Sequence, residues 1–373
     1  LKFIYIVNSS SFFCSHFLAL AEKVSEQGHS IYVIAGDDVK KDTIEEMGFF
    51  FIYIPLSRSG VNPLSELSFI MKLREKIRNI APDVIHSFTV KPIVYTGLVI
   101  KSLKIKKVSI VCNSVTGLGS AYLSKKMSGR IIWSLLKLLY KIALSSSNSS
   151  AVFENEDDRL LFVSQGMVDA NKVYLVNGAG IDTNVFLPSN IKSERTTVVL
   201  VARLLKDKGI AEYIEAGKML YERKLDVCLQ LVGDIDAGNI SSMSVQDIQN
   251  AHNAGYIQWL GPRTDIAKIY SHAHIACLPS YREGLPKSLI EAASCGLPII
   301  TTNVPGCRQM VINGENGILV EAKSGSAISE AIIYLLTKPD LMNRMALYNR
   351  KVAIEKFDHK HIVNTFFKIY KLN

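Results

Sequence analysis

The chain has 373 residues, 48% hydrophobic and 21% charged, and its 43 Lys and Arg against 34 Asp and Glu give a net charge of +9. That length exceeds one typical core and points to two domains, and the composition excludes a disordered, collagen-like or disulfide-scaffold chain. No stretch of eighteen apolar residues is free of charge, which excludes a transmembrane helix.

Short apolar runs alternate with helical patterns through the first half. Phe3 to Val7 reads as a strand rather than as the apolar region of a signal peptide. A helix follows over His16 to Glu26, a strand over Ser30 to Ala35, a helix over Lys41 to Met47 and a strand over Phe50 to Pro55. Ser65 to Arg78 is helical, Val84 to His86 a short strand, Val90 to Ser102 a helix and Lys107 to Asn113 a strand. A long helix over Tyr122 to Leu144 and a strand over Ala151 to Glu154 complete the half. The βαβ rhythm is that of a doubly wound parallel sheet.

The first loop, Asn8 to His16, is rich in serine and has no glycine. With neither a Gly-x-Gly-x-x-Gly element nor a Walker lysine, the chain reads against a dehydrogenase or an NTPase. Gly117-Leu118-Gly119 follows a strand, a weak signal by itself.

Between Asp83 and Glu154 there is no acidic residue, while Lys91, Lys101, Lys104, Lys106, Lys107, Lys125, Lys126, Arg130, Lys137 and Lys141 all fall there. This excess calls for an anionic partner. Nucleic acid is disfavoured because no nucleic-acid-binding signature accompanies the charge. An anionic membrane surface fits the segment around Lys101 to Lys141, because Tyr122 to Leu144 mixes its cations with Ile131, Ile132, Trp133, Leu135, Leu136, Leu138 and Leu139 as an interfacial amphipathic helix does. The same pattern serves a helix packed on the first domain with its lysines in water, and the two readings are compatible.

Turn residues from Asn177-Gly178-Ala179-Gly180 to Pro188-Ser189-Asn190 mark the domain junction. The pattern then restarts, with strands over Val198 to Val201, Val227 to Val232, Ile257 to Leu260, Ala273 to Leu278, Pro298 to Thr301 and Gly317 to Leu319. Lys338 to Lys356 and Lys360 to Tyr370 are helical. The expected division is residues 1–178, residues 179–355, and a closing helix over 356–373 that returns to the first domain. The fold class is α/β, with two Rossmann-like lobes facing a cleft. Six scattered cysteines carry no metal spacing and read as reduced thiols. His272 and His274 have no ligand partners at suitable spacing, so no metal is expected.

Two elements carry the chemistry. In the first, the strand ending at Val201 leads into Ala202-Arg203 and then Lys208-Gly209. Arg203 and Lys208 thus lie at a strand's carboxyl end, where open α/β sheets bind ligands, and supply cations suited to a diphosphate. The second runs from Glu283-Gly284-Leu285-Pro286 to Glu291, with Pro286 at a helix start. Its free N–H groups suit an anion. Eight helical residues span about 12 Å, so one of the two glutamates is expected on sugar hydroxyls and the other on a ribose diol, with the diphosphate between. The competing reading is a solvated acidic pair beside an ordinary helix cap.

With Val232-Gly233-Asp234, Leu260-Gly261, Phe12-Phe13-Cys14-Ser15-His16, Pro55-Leu56-Ser57-Arg58-Ser59-Gly60 and Val304-Pro305-Gly306-Cys307-Arg308, these elements resemble a retaining glycosyltransferase of the two-lobed GT-B type, in family 4. The resemblance runs end to end and is similar to bacterial enzymes building O-antigen, capsule or N-linked oligosaccharide on undecaprenyl diphosphate. It implies that Arg203 and Lys208 stabilise the leaving diphosphate, that Glu283 holds the donor hexose, that Gly284, Leu285 and Pro286 offer backbone donors, and that Glu291 holds the ribose. Gly233, Leu260 and Gly261 would line the nucleotide pocket. The family's first-lobe histidine has no match at Thr116-Gly117, which leaves His16 and His86 as candidates. The implied donor is a UDP-sugar, UDP-N-acetylgalactosamine above others, with no cofactor required. The implied acceptor is an undecaprenyl-diphosphate-linked N-acetylhexosamine at the cytoplasmic face of the inner membrane. A UDP-sugar epimerase and a catalytically silent nucleotide-sugar-binding subunit are the alternatives.

Overall fold

In the computed structural model the chain divides into two compact units, Leu1–Ala179 with Ile362–Asn373, and Gly180–His361. The structure describes all residues except 58–61, 104–107, 119–121, 123–126, 237, 240 and 373. Arg58, Ser59, Gly60, Gly119 and the lysines at 104, 106, 107, 125 and 126 therefore lie outside the described residues.

The first unit is built on seven parallel strands: β1 (Lys2–Val7), β2 (Ser30–Ala35), β3 (Phe50–Tyr53), β4 (Val84–Phe88), β5 (Ile110–Val115), β6 (Ser149–Phe153) and β7 (Val173–Leu175). Their order is β3-β2-β1-β4-β5-β6-β7. Its helices are α1 (Ser10–His16), α2 (Leu18–Glu26), α3 (Lys41–Glu46), α4 (Pro63–Ile80), α5 (Val90–Leu103), α6 (Met127–Ala143) and α7 (Glu156–Ser164). Side chains alternate across a strand, so Phe3, Tyr5 and Val7 pack under α1 and α2 while Ile4 and Ile6 pack under α4 and α5.

The second unit has six parallel strands in the order β10-β9-β8-β11-β12-β13. They are β8 (Thr196–Val201), β9 (Val227–Val232), β10 (Gln258–Trp259), β11 (Ile275–Leu278), β12 (Ile299–Thr302) and β13 (Gly317–Val320). Helices α8 (Ile210–Glu222), α9 (Val245–Asn253), α10 (Ile266–His272), α11 (Lys287–Ser294), α12 (Gly325–Leu336) and α13 (Pro339–Val352) connect and cover them. A π-helical turn, Ala353–Phe357, follows α13.

The closing helix α14 (His359–Tyr370) buries Ile362, Val363, Phe366, Ile369 and Tyr370 in the first unit's core, as expected of a helix returning to the first domain. The first connection differs from the sequence reading. Helix begins at Ser10, not His16, because Asp37 at the end of β2 accepts both the backbone N–H of Ser10, at 3.0 Å, and its hydroxyl. A partner 27 residues away gives no local signal.

His86 lies fully buried within β4, its Nδ1 2.6 Å from the Tyr370 hydroxyl and its Nε2 2.7 Å from Ser114 Oγ. It ties α14 to the sheet, a structural duty for one of the two candidate histidines. Burial holds its imidazole well below the usual range. The unfolded chain takes up this proton near pH 6.5 and the folded chain cannot, so stability is whole above that pH and falls as the pH drops below it. Urea unfolding of the wild type should lose up to about 1.4 kcal/mol per pH unit in that range from this group, and His86→Gln should remove that component. Identical pH profiles for the two proteins would contradict this account.

Candidate active site

In the second unit the strand order reverses between β8 and β11, the switch point where ligands bind open α/β sheets. The chain leaves β8 at Ala202 and Arg203, and Lys206–Lys208 forms a short 3-10 turn before Gly209, at φ 73°, opens α8. A Cβ on Gly209 would lie 2.2 Å from the Pro279 carbonyl oxygen. Only glycine lets the loop after β8 approach the end of β11 this closely.

That approach brings Lys208 and Glu283 together, with Lys208 Nζ 2.5 Å from Glu283 Oε1. Ser280 Oγ donates to the same oxygen, also at 2.5 Å. The Glu283 N–H donates to the Pro305 carbonyl at 3.1 Å. A Cβ on Gly306 would meet the carbonyl oxygens of Glu283 and Gly284 at 2.4 and 2.6 Å, so the loop after β12 lies directly against this stretch. Tyr281 braces the other side: its N–H donates to Asp207 O, its hydroxyl donates to Glu212 at 2.7 Å, and Lys323 stands 4.9 Å from its ring centre.

Arg203 is half exposed and pairs with Asp236 at 2.7 Å. Glu291 sits in the second turn of α11, only 9% exposed, with Lys287 at 3.3 Å. Burial raises its carboxyl above the usual range, and Lys287 only partly offsets the effect. Gly284, Leu285 and Pro286 are buried and precede α11 as extended or turn backbone. Glu283 is therefore not on the helix, and the helical measure of its separation from Glu291 does not apply.

Gly233 closes the neighbouring strand ends. Its N–H donates to Gly261 O at 3.0 Å, its carbonyl accepts from the Trp259 indole at 3.1 Å, and Leu260 N donates to Leu231 O. Its φ is 147°, and a Cβ there would stand 1.8 Å from the Ala202 carbonyl oxygen. His16, in the first unit, ends α1 instead of starting a helix. Its Nδ1 lies 2.7 Å from Ser15 Oγ and its ring stacks on Phe12 at 4.6 Å.

Sequence reasoning missed Ser280, Asp236, Lys287 and Gly306 as parts of this site. Ser280 had a usable signal, three positions before Glu283, and so did Lys287, one helical turn before Glu291. Asp236 and Gly306 meet their partners only through the sheet. Among the described residues no group of three His, Cys, Asp or Glu could hold a metal ion.

Two family models match the chain: "Glycosyl transferase 4-like" over residues 2–155 and "Glycosyl transferases group 1" over residues 183–352. Among relatives, the Campylobacter jejuni N,N'-diacetylbacillosaminyl-diphospho-undecaprenol alpha-1,3-N-acetylgalactosaminyltransferase is 27% identical over 369 residues, covering 95% of this chain and 94% of the relative. The Escherichia coli UDP-Gal:alpha-D-GlcNAc-diphosphoundecaprenol alpha-1,3-galactosyltransferase is 23% identical over 322 residues, covering 82% and 79%. Anabaena HepE, solved with UDP and glucose, superposes with a TM-score of 0.79 over 100% of this chain and 99% of its own, at 16% identity. The chain belongs to the family-4 glycosyltransferases, retaining enzymes of the GT-B fold that draw their sugar from a nucleotide-sugar donor.

The clash built into Gly233 gives a direct test of this geometry. Gly233→Ala should destabilise the second unit by about 2 kcal/mol or more, read as a lower Tm in calorimetry. An unchanged Tm would mean that the ends of β8 and β9 do not close as described.

Proposed function

We propose that this enzyme transfers N-acetylgalactosamine from UDP-N-acetylgalactosamine, in alpha linkage, to an N-acetylhexosamine carried on undecaprenyl diphosphate, in bacterial surface-polysaccharide synthesis. The observation that carries the reading is the Lys208–Glu283 pair at the switch point of the second sheet. Lys208 and Arg203 supply positive charge for the donor diphosphate, and the backbone of Gly284 to Pro286 leads into the N-terminus of α11. Glu283 takes the donor sugar's hydroxyls, Glu291 the ribose diol, and Gly233, Leu260 and Gly261 border the nucleotide.

The bond from the sugar's C1 to the diphosphate oxygen breaks, and the acceptor hydroxyl bonds to C1 on the same face. Its proton passes to the departing diphosphate. Catalysis is then charge stabilisation of the leaving group by groups already in place, with His16 kept as the first unit's catalytic candidate. Both undecaprenyl-linked relatives are named for alpha transfer, and the one of higher identity and coverage is named for N-acetylgalactosamine. Polyprenyl-diphosphate N-acetylglucosamine, a panel of UDP-sugars and EDTA, read by mass spectrometry, should give one added N-acetylhexosamine from UDP-N-acetylgalactosamine alone. Lys208→Ala should lower kcat by about 100-fold or more. No product from any UDP-sugar, or full activity in Lys208→Ala, would overturn the assignment.

The lipid carrier places the enzyme at the cytoplasmic face of the inner membrane, and α6 supports that location. Its Tyr140 and Ala143 are buried in the first unit, while Met127, Ile131, Ile132, Leu135 and Leu138 are exposed at helical spacing, Ile131 by 63%. Arg130 and Lys141 are exposed on the same helix and Lys137 is half-buried. Apolar side chains facing out beside cations, with no acidic neighbour in sequence, suit an anionic interface. Among the described residues no helix is long and apolar enough to cross a membrane. Changing Lys137 and Lys141 to Glu should release the protein from phosphatidylglycerol vesicles in co-sedimentation, and undiminished pelleting at physiological salt would rule out this surface.

A further inference from the structure

The first unit holds a cavity of about 350 Å³ that no step above uses, lined by Gly36, Pro55, Leu56, Ser57, Ser65 and Glu66. It opens where β2 and β3 end and α4 begins, on the carboxyl side of the parallel sheet, the side on which such sheets take ligands. Its volume lies in the range of small-molecule sites, roughly 300–1,000 Å³, with room for a single sugar residue.

The wall of this cavity carries a charge that the fold alone does not require. Glu66 is buried, 7% exposed, in the first turn of α4. Its Oε1 accepts from Lys91 Nζ at 2.6 Å and its Oε2 from the Tyr95 hydroxyl at 2.6 Å. Lys91 also donates to the Ser57 carbonyl at 2.9 Å, so the pair braces the loop that forms the opposite wall. Burial and the charge of Glu66 push the Tyr95 phenol up, which keeps its proton on and directed to the carboxylate. Burying an ion pair costs more desolvation than apolar side chains of like volume would. An acid in a first helical turn gains from the helix dipole in open water too, so that interaction does not by itself call for burial. Each carboxylate oxygen can accept twice, so Lys91 and Tyr95 leave acceptor capacity beside an open cavity.

We propose that this cavity seats the sugar residue of the acceptor, with Glu66 as the carboxylate that reads its hydroxyl and acetamido N–H groups. The inference rests on the glycosyl-acceptor reading above and names its subsite. A carboxylate in the wall repels phosphate, so the acceptor's diphosphate lies outside. A sugar presents only donors and acceptors, and the carboxylate takes its donors. The surroundings suit the remainder of such a molecule. On α4, one residue from the cavity, Leu64 is exposed by 79%, and Leu67 and Met71 continue an exposed apolar stripe at i+3 and i+7. A polar seat edged by an apolar helix face matches a sugar carried on a lipid.

Two variants test this. Glu66→Gln keeps the shape and removes the charge. Ser65→Trp, at an exposed position, fills the cavity without touching the buried pair. Initial rates at saturating UDP-sugar should show the KM for polyprenyl-diphosphate N-acetylglucosamine raised about tenfold or more in each, the loss of one charge-assisted hydrogen bond. The KM for the UDP-sugar should stay within about twofold, a split that general unfolding would not produce. An unchanged acceptor KM in Ser65→Trp overturns the assignment even where Glu66→Gln fails to fold. If the wild type uses only a water-soluble sugar acceptor, the lipid-linked reading fails. The cavity is then judged by the same variants on that acceptor, where a raised KM supports it and an unchanged one overturns it.

Discussion

The second unit's site depends on one carboxylate being held in place before any substrate arrives. Glu283 is mostly buried, and a buried charge persists only when paired and hydrogen-bonded. Lys208 from the loop after β8, Ser280 from the end of β11 and the carbonyl of Pro305 from the loop after β12 all converge on it. Three loops, far apart in the chain, are thereby fixed to one another. The glycines at 209 and 306 follow from that demand, since each stands where a side chain would force two of these loops apart. Lys208 is therefore held at its ammonium end by Glu283. Its ammonium stands in a defined place, which is what the proposed role on a leaving group asks of it.

Arg203 shows the contrasting solution. It is half exposed and paired with the less exposed Asp236 across a loop, and water competes for its guanidinium. Its guanidinium therefore keeps one side open to solvent, where a diphosphate could meet it. One cation is held among three loops and the other stands at the solvent. That combination suits a site that must both admit a charged nucleotide-sugar and stabilise charge as the bond to the sugar breaks.

The strands were legible from the sequence because both faces of a parallel sheet are covered. Runs such as Phe3–Val7 and Val198–Val201 are then apolar throughout. The start of α11 was legible at Pro286 for a local reason, a missing N–H where none is needed. The reading failed where a distant residue decides the local conformation. Ser10 begins a helix because Asp37 accepts its N–H, and Glu283 stays off α11 because Pro305 holds its N–H in an extended stretch. The site follows the same division. Its charged residues stood out as types at strand ends, whereas Asp236 and Gly306 gained their roles from strands brought side by side.

Both units use the same architecture, so what differs between them resides in the residues at the strand ends. In the second unit those ends gather cations, close backbone and a buried acid over a helix start. In the first, the acids include Asp37 and Glu66, and Glu66 is braced by Lys91 and Tyr95 beside an open cavity. The first unit also exposes large apolar side chains along two helices, Leu64, Leu67 and Met71 on α4 and Met127 to Leu138 on α6. Single exposed apolar residues are ordinary, but two helical stripes of them on one unit are not. The proposed acceptor, sugar at one end and hydrocarbon at the other, would use that pairing of a polar seat with apolar edges. A nucleotide-sugar requires the cationic ends found in the other unit. On the proposed reading, the chemistry of donor and acceptor is written separately into two copies of one fold.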